Sequence, residues 1–74
     1  MLGKVESTMN YNEIGIAALQ EGKYEKAVES FAKAIEEEPK NAVGYINMGN
    51  VFASLGDPEK TEPFFQQAIT LDED

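Results

Sequence analysis

This sequence predicts an all-α fold of two tandem antiparallel helix pairs, on three observations. First, apolar residues recur at spacings of three and four, which places each set on one helix face. Ile14, Ala17 and Ala18 form one such stripe; Tyr24, Ala27, Val28, Phe31, Ala34 and Ile35 form another. Second, Gly22 breaks the pattern between them. Third, the chain from Asn41 onward repeats residues 11–39 at a period of 34. Tyr11 falls on Tyr45, Ile14 on Met48, Gly15 on Gly49, Gly22 on Gly56, Glu25 and Lys26 on Glu59 and Lys60, Phe31 on Phe65, and Ala34 and Ile35 on Ala68 and Ile69. The matches concentrate on apolar and glycine positions, where packing is demanding. A period of this length holding two helices marks a helical repeat array.

The start of the first helix has two readings. Leu2, Val5 and Met9 sit at helical spacing and extend it backwards in one. In the other, Ser7, Thr8 or Asn10 caps it, and Asn10 with Glu13 three residues later resembles a capping box. The second reading is favoured: residues 1–7 are a frayed lead-in, the helix is firm by Thr8, and it runs to Glu21. Gly22 suits a left-handed C-terminal cap.

The second helix is expected from Lys23 to Glu38, without a strong N-cap residue. Glu29 and Lys33 stand four apart on it, an arrangement that favours an ion pair. Glu36, Glu37 and Glu38 oppose the helix dipole at its C-terminus, and Pro39 stops it.

Asn41 is a good N-cap for a third helix over residues 42–55, which carries Tyr45, Met48, Val51 and Phe52 at helical spacing. Gly15 and Gly49 take equivalent interior positions, and are expected at close helix approaches, because glycine otherwise costs about 1 kcal/mol against alanine. Gly56 ends this helix. Asp57 and Pro58 open a fourth, as N-cap acid and first-turn proline. Pro63 removes one of its backbone hydrogen bonds and is expected to kink it. The helix should end near Leu71, with Asp72, Glu73 and Asp74 frayed. The units are therefore residues 8–41 and 42–74.

These residues resemble the tetratricopeptide repeat (TPR) family. In the first unit Tyr11, Ile14, Gly15, Gly22, Tyr24, Ala27, Phe31, Ala34 and Pro39 take the family's positions; in the second, Tyr45, Met48, Gly49, Phe52, Gly56, Phe65 and Ala68 do. The resemblance covers residues 8–74. Ala18 departs from it by replacing an aromatic. Pro58, Thr61 and Glu73 stand where the first unit has Tyr24, Ala27 and Pro39, so the second unit is the weaker match.

Composition excludes several functions. The chain has 74 residues, and one this short buries only about 60% of its unfolded surface, so its stability should be marginal. Cysteine and histidine are absent. That removes thiolate chemistry, the commonest general base and the commonest metal ligand. Arginine and tryptophan are missing too, and no glycine-rich phosphate loop occurs. A non-enzyme without cofactor or metal is expected. The acidic runs 36–38 and 72–74 lack the spacing of a calcium loop and read as hydrated helix ends. The aromatics at repeat positions read as core rather than as a stacking platform. A net charge of -8 disfavours nucleic acid and anionic membranes and favours basic partners. No apolar run approaches a membrane span and the N-terminus lacks a secretory pattern, so a cytoplasmic location is expected.

The resemblance implies a protein-interaction module whose unit-opening helices line a groove for an extended peptide. Mapped here, the groove takes Met9, Asn12, Glu13, Ile16, Leu19 and Gln20 from the first helix. The third helix adds Val43, Ile46, Asn47, Asn50, Ala53 and Ser54. Asparagine amides both donate and accept, which suits a peptide backbone, and Ile16 and Ile46 offer uncharged apolar anchors. Some family members grip the carboxylate of an acidic tail with Lys and Asn residues. Asn47 matches one of these positions, but Asn12 and Ile16 occupy two others. A neutral or basic protein segment is therefore the expected ligand.

A second function remains open: structural self-association, or part of a longer array. Phe64, Phe65, Ile69 and Leu71 are more large apolar groups than one side of the fourth helix can hide. Some are expected where a further helix would pack, available for homo-oligomerisation.

Overall fold

The structure is a computed structural model that describes residues 10–73. Among these, helices span α1 (Tyr11–Gln20), α2 (Tyr24–Glu37), α3 (Ala42–Ser54) and α4 (Pro58–Glu73). They form two antiparallel pairs, the all-α repeat architecture expected.

Local chemistry sets the boundaries. The Asn10 side chain accepts from the Glu13 N–H at 3.2 Å and so caps α1. Thr8 and Met9, placed at the same helix start from sequence, lie outside the described residues. At the other end Gly22 adopts φ 78, a left-handed conformation that costs a glycine little. Gly22 N–H then reaches the Leu19 carbonyl at 3.0 Å, and Lys23 N–H reaches that of Ala18 at 2.8 Å. These two bonds satisfy carbonyls that the helix end would leave unpaired. The second unit repeats the device: Gly56 has φ 73, and Gly56 and Asp57 N–H groups reach the Ala53 and Phe52 carbonyls at 3.0 and 2.9 Å.

Asn41 caps α3 by accepting from Val43 N–H at 2.9 Å. Asp57 caps α4 by accepting from Lys60 N–H at 3.2 Å. Lys23 precedes α2 without a side-chain cap. The Tyr45 hydroxyl donates to the Pro39 carbonyl at 3.0 Å and ties the inter-unit turn to α3. Thr61 is half-buried where the first unit has alanine, and its hydroxyl donates to the Asp57 carbonyl at 2.9 Å.

The core lies between the pairs. Ala18, Ala27, Phe31, Met48 and Val51 are buried together, with Leu19, Tyr24, Val28, Ile35, Phe52 and Phe64 packed against them. The Phe52 and Phe64 rings stack at 5.8 Å. Both predicted close approaches occur. A Cβ on Gly15 would lie 2.6 Å from Phe31 Cδ1, and one on Gly49 would lie 2.6 Å from Phe65 Cε1.

Several expectations are corrected. Ala17 is exposed, so Ile14 and Ala18 carry the inner face of α1. Lys33 forms no ion pair with Glu29 among the described residues; its ammonium instead stands 5.8 Å from the centre of the Tyr11 ring. Asp72 and Glu73 are helical rather than frayed, and Pro63 lies inside α4.

Candidate functional site

The helices meet unequally. Between the pairs, α3 packs against α2 and, less extensively, against α1, whereas among the described residues α2 and α4 make no backbone approach. The two pairs therefore meet through α3 and splay between α2 and α4. A polar bond joins α1 to α3. The Asn47 side-chain N–H donates to Asn12 Oδ1 at 3.1 Å, both groups being half-buried. The two asparagines, expected to face a ligand independently, are thus partners of each other.

Asn12, Glu13, Ile16 and Val43 line one cavity of about 480 Å³, beside the end of α2. Ile16 and Val43, large apolar side chains, are 40% and 48% exposed there. Glu37, Glu38 and Asn41 form the opposite wall. Among the described residues, three carboxylates and no lysine line this cavity. The Glu38 carboxylate accepts from Asn41 Nδ2 at 2.9 Å. The sequence reading missed this wall, because it took residues 36–38 as a hydrated helix end. The signal was Pro39: by turning the chain sharply, it brings the end of α2 beside the start of α3.

The remaining groove residues are spread out. Gln20, Asn50, Ala53 and Ser54 are exposed away from that cavity. Leu19 packs on the core, and Met9 lies outside the described residues. Ile46, with Val43, lines a second cavity of about 500 Å³ together with Ala42, Phe65, Ala68, Ile69 and Asp72.

The four residues put forward for self-association differ in their surroundings. Phe64 stacks on Phe52, and Phe65 fills the space above Gly49. Both serve the pairing of α3 with α4 and are only half-exposed, as is Leu71. Ile69 alone of the four stands out, at 51% exposure. No group of three or more metal-ligating side chains gathers among the described residues, and none of the helices is long and apolar enough to cross a membrane.

Comparison with known proteins gives two family matches. A TPR repeat model matches residues 15–56, more than half of the chain, and a tetratricopeptide repeat model matches residues 42–74. A TPR repeat-containing protein, YrrB, of Bacillus subtilis (strain 168) is 51% identical over 41 residues, covering 55% of this chain and 20% of the relative. The Hsp70-Hsp90 organising protein of Plasmodium falciparum is 45% identical over 51 residues, 69% of this chain and 20% of that protein. The photosystem I assembly protein Ycf3 of Acaryochloris marina (strain MBIC 11017) is 38% identical over 72 residues, 92% of this chain and 43% of that protein. The chain thus spans less than half the length of each of these relatives.

Proposed function

Since the chain belongs to the tetratricopeptide repeat family, we propose that it is a non-catalytic module binding an extended segment of another protein along its α1–α3 face. Repeats of this family mediate protein–protein interaction. Two relatives are named for organising or assembling other proteins, which is consistent with such a role here. The observation that carries the reading is the shared cavity. Four groove residues from two helices, Asn12, Glu13, Ile16 and Val43, meet there with apolar side chains uncovered.

The ligand is neutral or basic. Glu13, Glu37 and Glu38 repel an acidic tail and attract Lys or Arg. Ile16 offers hydrocarbon where a carboxylate grip would need a donor, and Asn47 already spends one donor on Asn12. A bound segment would lay an apolar side chain between Ile16 and Val43 and a basic one against the α2 end. The cytoplasm, expected from the sequence, is the setting this reading assumes.

The test is a titration of the isotope-labelled chain with two peptides. Each has the same central leucine, flanked in one by lysines and in the other by glutamates. The lysine peptide should shift the amides of Asn12, Glu13, Ile16, Val43 and Asn50, and the glutamate peptide should not. Shifts confined to α2 and α4 would sink the groove assignment. Equal binding of both peptides would sink the charge argument.

A further inference from the structure

The bond between Asn12 and Asn47 fixes the register of α1 against α3. Consecutive helices run antiparallel, so α1 and α3 point the same way. On helices that point the same way, side chains lean alike toward the N-terminus. A 3.1 Å bond between two asparagines therefore marks one level on both. From that level Ile16 lies four residues up α1, and Val43 four residues down α3. At 1.5 Å per residue the two stand about 12 Å apart along the groove. Both line the same cavity, as does Asn12 between them. Its carboxylates lie at or below the asparagine level. Glu13 follows Asn12, and Glu37 and Glu38 close α2 just before Asn41 caps α3. Ile16, 40% exposed, holds the other end.

Resting on the α1–α3 reading above, we propose that the ligand is an extended segment with a basic and an apolar residue four positions apart. An extended chain rises about 3.3 Å per residue, so four positions cover about 13 Å, the length of this groove. The even spacing keeps both side chains on one face of the segment. The basic residue lays its hydrocarbon stem on Val43 and carries its charge to Glu37 and Glu38. The apolar residue seats on Ile16. The residue midway between them faces the Asn12–Asn47 pair. A spacing of three or five would turn one of the two anchors away from the groove.

The dimensions select the extended form over a helical one. A helix with its side chains is at least 10 Å across, so a length of 12 Å fills roughly 900 Å³. The cavity holds about 480 Å³. An extended chain occupies about 4.8 by 10 Å in cross-section, or roughly 600 Å³ over the same length. Half of its side chains point away from the groove, so its inward part fits where a helix would stand out of the cavity. A helical ligand would also need its two anchors about eight residues apart to span the same distance.

The test uses acetylated, amidated peptides of glycine and serine that carry one lysine and one leucine, three, four or five positions apart and in both orders. A further peptide, on an alanine background that favours a helix, spaces them by eight. Titrated into the isotope-labelled 74-residue chain, the four-spaced peptide should shift the amides of Asn12, Ile16 and Val43. In at least one order it should bind about tenfold more tightly than the three- and five-spaced peptides. This arm leaves the chain's folding untouched. Ile16→Ser, at an exposed position and with its melting temperature checked, should abolish the preference. The proposal is overturned by equal binding at three, four and five, by tightest binding of the eight-spaced helical peptide, or by a preference that survives Ile16→Ser. In those cases shifts on α1 and α3 would leave the groove reading standing. Shifts confined to α2 and α4, or unchanged spectra at millimolar peptide, would overturn both.

Discussion

Replacing Gly15 with alanine sets two effects of opposite sign against each other. In an exposed helix interior the change would stabilise by about 1 kcal/mol, because alanine loses less backbone entropy than glycine. Here the new Cβ would lie 2.6 Å from Phe31 Cδ1 and 2.8 Å from Cζ. Carbon atoms are comfortable near 3.5–4.0 Å, so the ring or the helix must shift. Phe31 is 0% exposed and so cannot swing out into solvent. Overpacking of this kind costs roughly 1–3 kcal/mol, and the helix gain offsets part of it.

The expected net effect is a destabilisation of about 1 kcal/mol, or a fall of roughly 4–8 °C in melting temperature for a domain of this size. Gly49→Ala is the internal control, because it has the same helix gain and a similar approach, 2.6 Å to Phe65 Cε1. Phe65 is only half-buried and can swing outward, so that variant should lie closer to neutral. Thermal unfolding followed by circular dichroism measures both. Gly15→Ala melting at or above the parent would refute the clash, and Gly49→Ala falling further than Gly15→Ala would refute the reasoning about ring freedom. A double-mutant cycle with Phe31→Leu should show coupling, since the smaller side chain makes room for the new methyl.

Other perturbations separate groups that the sequence treats alike. Asn47→Ala should cost about 0.5–1.5 kcal/mol of stability by breaking its half-buried bond to Asn12, as chemical denaturation would show. Asn50→Ala, at an exposed position, should leave the denaturation midpoint unchanged while weakening a groove peptide. Gly56→Ala, at φ 73, should destabilise by roughly 1–2 kcal/mol because the left-handed conformation crowds a Cβ, and a midpoint equal to the parent's would contradict that. Binding of a lysine-flanked peptide should weaken as salt is raised from low to physiological strength, because exposed charges are screened over a shorter distance; salt-independent affinity in calorimetry would leave Glu13, Glu37 and Glu38 without a role.

Much of the fold was legible because a repeat displays its packing demands twice. Gly15 and Gly49 reveal each other, and so do Phe31 and Phe65. The seam between units was not legible for the same reason. Its contacts join positions that are not equivalents: Asn12 to Asn47, Ile35 to Gly44 and Glu38 to Asn41. Gly44 has Asn10 as its equivalent, so a comparison of units passes over it. Lys33 was misassigned because helical spacing sees only its own helix. The Tyr11 ring, one helix away, is the contact it makes. The sequence shows the apolar residues of α4 but not which of them α3 takes up. Phe64 and Phe65 are drawn inward because α3 offers Phe52 to stack on and Gly49 to fill.

The positions that fail to repeat carry a functional argument of their own. Core equivalents coincide in type, as with Gly15 and Gly49 or Ala34 and Ala68, because each helix pair poses the same packing problem. Along the proposed α1–α3 face the equivalents diverge: Asn12 becomes Ile46, Glu13 becomes Asn47, Ile16 becomes Asn50 and Gln20 becomes Ser54. Glu13 alone of these eight residues carries a charge, and Glu37 and Glu38 line the same cavity as it does. A basic residue on a bound segment would be attracted there and not beside Asn50, so the same peptide reversed would lose that contact. Val43 lines this cavity and the α3–α4 cavity alike, so a ligand seated in the one would press on a wall of the other.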